Sequence, residues 1–274
     1  MAPWTLEPIG DAPDASLEPF RTLRRVKALG EVTRFVAEGA KVVDRLLESD
    51  HLVESVLATE AALARIRPLL DARPEAVRVI VARTREEIHA VTGYESEDLK
   101  AVGRRPRRPT LEGVLASAPR PRLLCLLDGV TNAENVGVVV RNAGGLGVHA
   151  AISAASTCSP YLTRAIRTSM GAVFRLPVVE GVDAADAVER LREAGVRCVA
   201  AHPRPGAVEL PRVELTADVC VVLGAEGEGV SPQVLARCDD VAAVPMASGV
   251  DSLNVASAAA AFFYEAWRQR RGRG

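Results

Sequence analysis

From Leu123 to Pro245 the chain repeats one pattern: a short apolar run, a loop, then a stretch with helical periodicity. The apolar runs are Leu123–Leu127 (LLCLL), Ala150–Ser153 (AAIS), Val173–Val179 (VFRLPVV), Arg197–Ala201 (RCVAA), Val219–Gly224 (VCVVLG) and Val241–Pro245 (VAAVP). Strands that alternate apolar and polar residues leave one face in water. Runs that are apolar nearly throughout are buried on both faces, as in a mainly parallel sheet covered by helices. The helical stretches between them are Val136–Leu146, Ala184–Ala194 and SPQVLARC, the last with Ser231 as N-cap and Pro232 at the first helical position. The fold class is therefore α/β, and ligands of such sheets bind outside the carboxyl ends of the strands. Three loops leaving those ends carry polar residues and glycine: DGVTNAENVG, LGAEGEGVS and PMASGVDSLN.

A second alternating series precedes this one. RFVAEG, VESVLA and VRVIVA read as strands, AKVVDRLLES and TEAALARIRPLL as helices, and a further helix opens at Thr84 with Glu87 at capping-box spacing. The expected organisation is a loose tail over residues 1–16, an α/β domain over 17–102, a basic, Pro-rich linker over 103–118 and a larger α/β domain over 119–274. Arg21, Arg24, Arg25 and Lys27 make either a solvated helix face or an RNA-touching arm. The linker arginines Arg104, Arg105, Arg107 and Arg108 carry the same two readings.

The composition, 48% hydrophobic and 25% charged, is that of a soluble globular protein. A formal charge of −1 gives no global signal for nucleic acid, so such binding must come from a local patch. The five cysteines are scattered without C-x-x-C spacing and the four histidines lie far apart, so reduced thiols, a cytoplasmic location and no metal are expected. The N-terminus lacks signal-peptide character, and no apolar stretch is long enough to span a membrane.

The loops exclude several chemistries. G-x-G-x-x-G does not follow the first strand, and neither a Walker loop nor a G-x-S-x-G elbow occurs. Arg141 lies in the helix after the first loop, where it snorkels, pairs with a carboxylate or points into a site. Asn132 and Asn135 fit helix capping as well as a site, and Ser252 and Asn254 do the same at the mouth of the last helix. Glu226 stands among Gly224, Gly227 and Gly229. The run AAAAFF within Ala256–Phe263 is apolar on every side and needs burial all round.

Taken together and in order, Asn135-x-Gly137-x-x-x-Arg141-Asn142-Ala143, LGAEGEGVS (Leu223–Ser231) and PM-x-S-G-x-x-SLNVA-x-A (Pro245–Ala258) resemble the three motifs of the SpoU/TrmH family of RNA ribose 2′-O-methyltransferases in the SPOUT superfamily. The resemblance covers about Leu123–Gln269, and FVAEG (Phe35–Gly39) is similar to the start of that family's ribosomal-protein-like RNA-binding domain. It implies a C-terminal SPOUT domain with a deep trefoil knot, and a homodimer built on the last helix and the first-motif helix. It also implies S-adenosylmethionine held by Ala201, His202, Leu223, Gly224, Ala225, Gly227, Gly229, Val244, Pro245, Met246, Ser252 and Leu253. Catalysis would fall to Arg141, Asn135, Ser252, Asn254 and Glu226. Arg141 would act as the base or, keeping its proton, would stabilise the developing alkoxide while an RNA phosphate or water accepts the proton.

The implied substrate is RNA, rRNA before tRNA, with Arg104, Arg105, Arg107, Arg108, Arg164 and Arg167 as phosphate contacts. Glu95, Glu97 and Asp98 depart from the family pattern and would repel phosphate. A non-catalytic RNA-binding relative of the same fold is the alternative, although Asn135, Arg141 and the SLN triplet are all present. A hydrolase using Ser252 is a third class.

Overall fold

The structure is a computed structural model describing residues 4–23, 34–95, 97–105, 109–247 and 252–271. The chain divides into two compact units, Met1–Arg107 with Tyr161–Arg175, and Arg108–Pro160 with Leu176–Gly274.

The first unit is a five-stranded sheet of order β1-β4-β3-β5-β2. Its strands are β1 (Trp4–Pro8), β2 (Arg34–Glu38), β3 (Val53–Thr59), β4 (Val77–Ala82) and β5 (Leu99–Arg104). Strands β1, β4 and β3 run parallel, and β5 is antiparallel to both β3 and β2. Helices α1 (Asp14–Thr22), α2 (Ala40–Leu47), α3 (Glu60–Asp71) and α4 (Arg85–Thr92) complete it, with the short helix Thr163–Thr168. Side chains of Thr59 and Thr84 cap α3 and α4 by accepting N–H bonds from Ala62 and Glu87.

Residues 4–16 are not the loose tail their Pro and Gly content implies. Trp4–Pro8 pairs with Val77–Val81, and α1 begins at Asp14. Proline is tolerated in β1 because this is an edge strand at its last residue. The expected linker over 103–118 is also shorter than its composition implies. Gly103 and Arg104 end β5, and Leu111–Ser117 form helix α5, capped by Thr110, with Leu111 and Val114 buried in the second unit's core. β5 escapes notice because it holds Lys100, whose side chain is fully buried. Its Nζ donates to Glu38 Oε1 at 2.6 Å and to the Tyr94 hydroxyl at 2.7 Å. Arg24, Arg25 and Lys27 lie outside the described residues; Arg21 pairs with Asp14 at 2.5 Å.

The segment Tyr161–Arg175 belongs to the first unit, contrary to a boundary that assigns all of 119–274 to the second. Phe174 stacks on Phe35 with ring centroids 5.4 Å apart, Tyr161 packs on it at a tilt with centroids 5.5 Å apart, and His51 packs edge-on against Phe174. Arg45 donates to the Met170 carbonyl, and Arg175 pairs with Glu48 at 3.0 Å. The expected strand over Val173–Val179 is accordingly divided: Ala172–Phe174 is a single 3₁₀ turn, and pairing starts only at Val178.

His51 sits in this aromatic cluster at 8% exposure, with Ser49 Oγ and the Tyr161 hydroxyl each 3.2 Å from a ring nitrogen. Burial lowers its pKa from 6.5 to about 4; the nearby Arg73 charge adds to the shift and Asp50 opposes it. Between these two values the unfolded chain binds a proton that the folded chain refuses. His51 therefore costs stability progressively as pH falls from 6.5 to about 4, by up to roughly 3 kcal/mol. Thermal unfolding of the wild type followed against pH should show this loss. His51→Phe should flatten it, and an equal slope in the two proteins would exclude His51 as its source.

The second unit is a seven-stranded, all-parallel sheet of order β10-β12-β9-β11-β6-β7-β8. Its strands are β6 (Leu123–Asp128), β7 (Ala150–Ala154), β8 (Val178–Val182), β9 (Arg197–Ala201), β10 (Val208–Glu209), β11 (Val219–Gly224) and β12 (Asp240–Ala243). Its helices are α5, α6 (Ala133–Gly145), α8 (Ala184–Glu193), α9 (Pro232–Leu235) and α10 (Val255–Arg271), α7 being Thr163–Thr168 of the first unit. Leu124, Leu126, Cys220 and Val222 turn one sheet face toward α8 and α5, and alternate residues turn the other toward α6 and α10. The five cysteines are unpaired, and burial pushes the Cys125 thiol up to about 12.

Helix α10 buries Val255, Ala256, Ala259, Phe262, Phe263 and Ala266 within its own unit, packing on α6 and β11. Much of the apolar run over Ala256–Phe263 is thus covered without a second chain, leaving Ser257, Ala260, Ala261 and Tyr264 more open. Arg270 fastens its far end by donating to the carbonyls of Leu215, Ala217, Pro121 and Arg122 at 2.7–3.0 Å.

Candidate active site

Strand order reverses between β6 and β11, which places the carboxyl ends of β6, β9, β11 and β12 around one crevice. The loop after β6 is pinned from both sides: Thr157 Oγ1 donates to Leu127 O at 2.8 Å and accepts from Val130 N at 3.2 Å. Asp128 Oδ2 accepts from Ser231 N at 2.8 Å and so clips the end of the Glu226 loop to the end of β6. Asn132 caps α6 by accepting from Glu134 N at 2.9 Å, leaving the amide of Asn135, buried in the first turn, free for another role.

That role is a cross-link of the three loops. Asn135 Nδ2 donates to Glu226 Oε1. Asn254 Nδ2 donates to the same oxygen at 2.7 Å and to Asn135 Oδ1 at 3.1 Å. Asn254 also caps α10, its Oδ1 accepting from Ala256 N at 2.9 Å. One residue thus serves both readings that its position permits. Asn142 adds a second tie, donating to Ala256 O at 2.9 Å and joining α6 to α10.

The Glu226 loop folds back on itself. Ala225 and Gly229 exchange N–H···O bonds of 3.0 and 2.9 Å, with Gly229 at φ +74°. A Cβ on Gly224 would lie 2.0 Å from the carbonyl carbon of Gly229, and one on Gly229 would lie 2.4 Å from His202 Nδ1. Only glycine fits either place.

Beneath the cross-link opens a cavity of about 670 Å³. Every cofactor-binding residue named from the sequence lines it except Pro245, which is exposed. Glu226, Ser252 and Asn254 line it too. Sequence reasoning missed Ala258 and Phe262, although Asn254, Ala258 and Phe262 stand four residues apart and so share one helix face. His202 Nδ1 is buried without a hydrogen-bond partner among the described residues. The volume, the apolar walls with a few convergent polar groups and the glycine cradle fit a nucleoside-sized ligand such as S-adenosylmethionine.

Arg141 is not gathered with the others. It is exposed on α6, six residues beyond Asn135, which is 240° around the helix, and has no hydrogen bond or ion pair among the described residues. The arginines expected to meet phosphate divide in a similar way. Arg164 and Arg167 are exposed on α7. Arg104 ends β5 and is ion-paired with Glu54, and Arg105 lies over the Tyr161 ring at 4.7 Å, so these two are tied to the first unit rather than free on a linker. Arg107 and Arg108 lie outside the described residues.

Comparison with known proteins bears on the same regions. The model of the SpoU rRNA Methylase family matches residues 122–264. An uncharacterized tRNA/rRNA methyltransferase of Mycobacterium bovis is 31% identical over 272 residues, 96% of this chain and 92% of that protein. The 23S rRNA (guanosine-2′-O-)-methyltransferase RlmB of Vibrio cholerae is 35% identical over 160 residues, 58% of this chain and 64% of that protein. Among solved structures, the SpoU methyltransferase AviRb of Streptomyces viridochromogenes in complex with AdoMet superposes with a TM-score of 0.80 at 25% identity, covering 94% of this chain and 99% of that one. With a family model spanning more than half of its length and a relative aligned nearly end to end, this chain belongs to the SpoU rRNA methylase family.

Proposed function

We infer that the protein transfers the methyl group of S-adenosylmethionine to a ribose 2′-hydroxyl of RNA, with rRNA as the substrate class. The observation that carries this reading is the Asn135–Glu226–Asn254 cross-link, which joins the three motif loops over a cavity of cofactor size. When bound, S-adenosylmethionine supplies an electrophilic methyl on a sulfonium. The protein's own residues orient and exclude. The glycine cradle at 224 and 229 admits a ligand against the backbone, Phe262 and Ala258 give an apolar wall, and Glu226 keeps both amides locked so that the loops do not drift apart. Positioning of this kind supplies much of the rate in a displacement that needs in-line geometry.

A guanidinium keeps its proton in a protein. Arg141 accordingly stabilises the alkoxide forming at the ribose oxygen, and an RNA phosphate or water takes the proton. Its position 240° round α6 from Asn135 supports its delivery to the cavity of a second copy, with the open stripe Ser257, Ala260, Ala261 and Tyr264 of α10 in the seam. We further assign the first unit, Met1–Arg107 with Tyr161–Arg175, to RNA binding, as a ribosomal-protein-like domain, and the second unit to catalysis. The insertion of β11 between β9 and β6, with α10 returning against α6, supports the trefoil knot that the resemblance implies. No helix among the described residues is long and apolar enough to cross a membrane, and an RNA substrate favours the cytoplasm.

The test is to incubate the protein with methyl-tritiated S-adenosylmethionine and either total rRNA or total tRNA, then digest to nucleosides. Label in a 2′-O-methylnucleoside from rRNA is expected. Label confined to tRNA would correct the substrate, and label on a base or none at all would overturn the reading.

A further inference from the structure

We propose that Arg34 and Arg78 form a phosphate-binding subsite in the first unit that holds a backbone phosphodiester of the RNA; this rests on the RNA substrate proposed above. A second cavity, of about 350 Å³, opens at the edge of the first unit's sheet against α1. Its floor is a lateral row across three parallel strands, Thr5 on β1, Arg78 on β4 and Ser55 on β3, all in register and so on one sheet face. Ser16 of α1 closes one side and accepts a hydrogen bond from Arg78 Nη1. Arg34 and Glu54 close another.

The charges there do not balance. Glu54 is shared by two guanidinium groups, Arg34 at 2.7 Å and Arg104. The carboxylate nearest Arg78 is Glu7 at 3.6 Å, too far for a charge-assisted hydrogen bond. Arg34 Nε is buried with no hydrogen-bond partner among the described residues. Two arginines, Arg34 and Arg78, therefore line the cavity with one carboxylate, Glu54, which Arg104 also engages, and the hydroxyl residues Thr5, Ser16 and Ser55 line it with them. Planar guanidinium forks flanked by hydroxyls match the oxygens of a phosphate group, and Arg, Ser and Thr are the side chains that make backbone contacts to nucleic acid. The exposure of the two arginine side chains, 40% and 51%, suits a polyanion lying across the opening better than an ion enclosed within it. None of these residues lines the larger cavity, so the subsite contributes RNA affinity and not cofactor affinity.

The experiment compares the wild type, Arg78→Ala and Arg34→Gln in binding labelled, protein-free bacterial rRNA across a salt series. Parallel titrations with S-adenosylmethionine and with inorganic phosphate accompany it, and melting curves verify the fold. Each variant is expected to bind rRNA about 5- to 10-fold more weakly near 0.1 M salt, with the slope of log K against log salt reduced by about 0.7 to 0.9, one phosphate contact's worth. Cofactor affinity should be unchanged. Wild-type affinity and slope in both folded variants would overturn the proposal. So would loss of inorganic phosphate binding in Arg78→Ala with rRNA affinity intact, which would mark a free-anion site. Because affinity and slope are read without turnover, failure of the subsite is distinguishable from failure of the methyltransferase reading, which the nucleoside assay reports. Should Arg78→Ala fail to fold, Arg78→Lys keeps the charge without the fork and is expected to restore part of the slope and little of the affinity.

Discussion

Arg141→Ala is expected to bind S-adenosylmethionine as the wild type does while transferring methyl groups about 10²- to 10³-fold more slowly, the usual cost of removing one donor from a developing oxyanion. Arg141 is exposed, contributes no hydrogen bond or ion pair among the described residues and does not line the cavity, so its removal should leave melting temperature and calorimetric cofactor affinity in place. A variant with wild-type turnover would exclude it from the chemistry. Mixing adds a sharper readout. If Arg141 of one copy serves the cavity of another, an Arg141→Ala protein combined with a cavity-dead variant should regain activity that neither has alone, at up to about a quarter of wild type for random pairing in a C2 dimer. No recovery after verified subunit exchange would place the arginine in its own chain's site.

Gly224→Ala should meet the closest backbone clash of the glycines that the structure describes. The new methyl would start 2.0 Å from the Gly229 carbonyl carbon and 2.1 Å from Val230 N, both backbone atoms that cannot swing away. Relief requires opening the paired N–H···O bonds of Ala225 and Gly229, and Glu226 then leaves the two asparagine amides. Overpacking of this kind costs about 1–3 kcal/mol of stability, and the cavity wall is lost with it. The expected result is cofactor binding weakened beyond about 30-fold by calorimetry, with lowered thermal stability. Gly227→Ala is the control for space: its φ is +85°, unlike that of Gly224, but no heavy atom lies near its added carbon, so strain of about 1–2 kcal/mol is expected with binding retained. Equal cofactor affinity in Gly224→Ala and wild type would show that the loop's tightness is irrelevant to the ligand.

The second unit was largely legible because its strands carry few polar residues to confuse the pattern and its helices announce themselves with caps, Asn132 for α6 and Asp183 for α8. Strand β5 was not legible, since Lys100 looks like a surface residue until Glu38, sixty-two positions earlier, is brought against it. β1 was hidden for a related reason: its partner on β4 lies some seventy residues away, and nothing local in WTLEP requires a parallel neighbour. At the site, the three loops could be named from their order, but not the bonds among them. Asn254 as a cap was readable from its position, whereas its simultaneous hold on Glu226 is a long-range fact that periodicity does not contain. Arg141 illustrates the converse. Its place in a motif groups it with Asn135, while helix geometry separates the two.

The first unit is not one continuous piece of chain, because Tyr161 and Phe174 complete the aromatic cluster around Phe35 and His51. It is therefore not a portable module. A gene fragment ending at residue 107 would encode the sheet but expose Phe35, which is 2% accessible in the whole chain, and would strip His51 of the Tyr161 hydroxyl. Grafting or swapping that unit among relatives calls for carrying residues 161–175 along. Over evolutionary time the two stretches should change as a pair, a ring gained at one position answered by space made at the other.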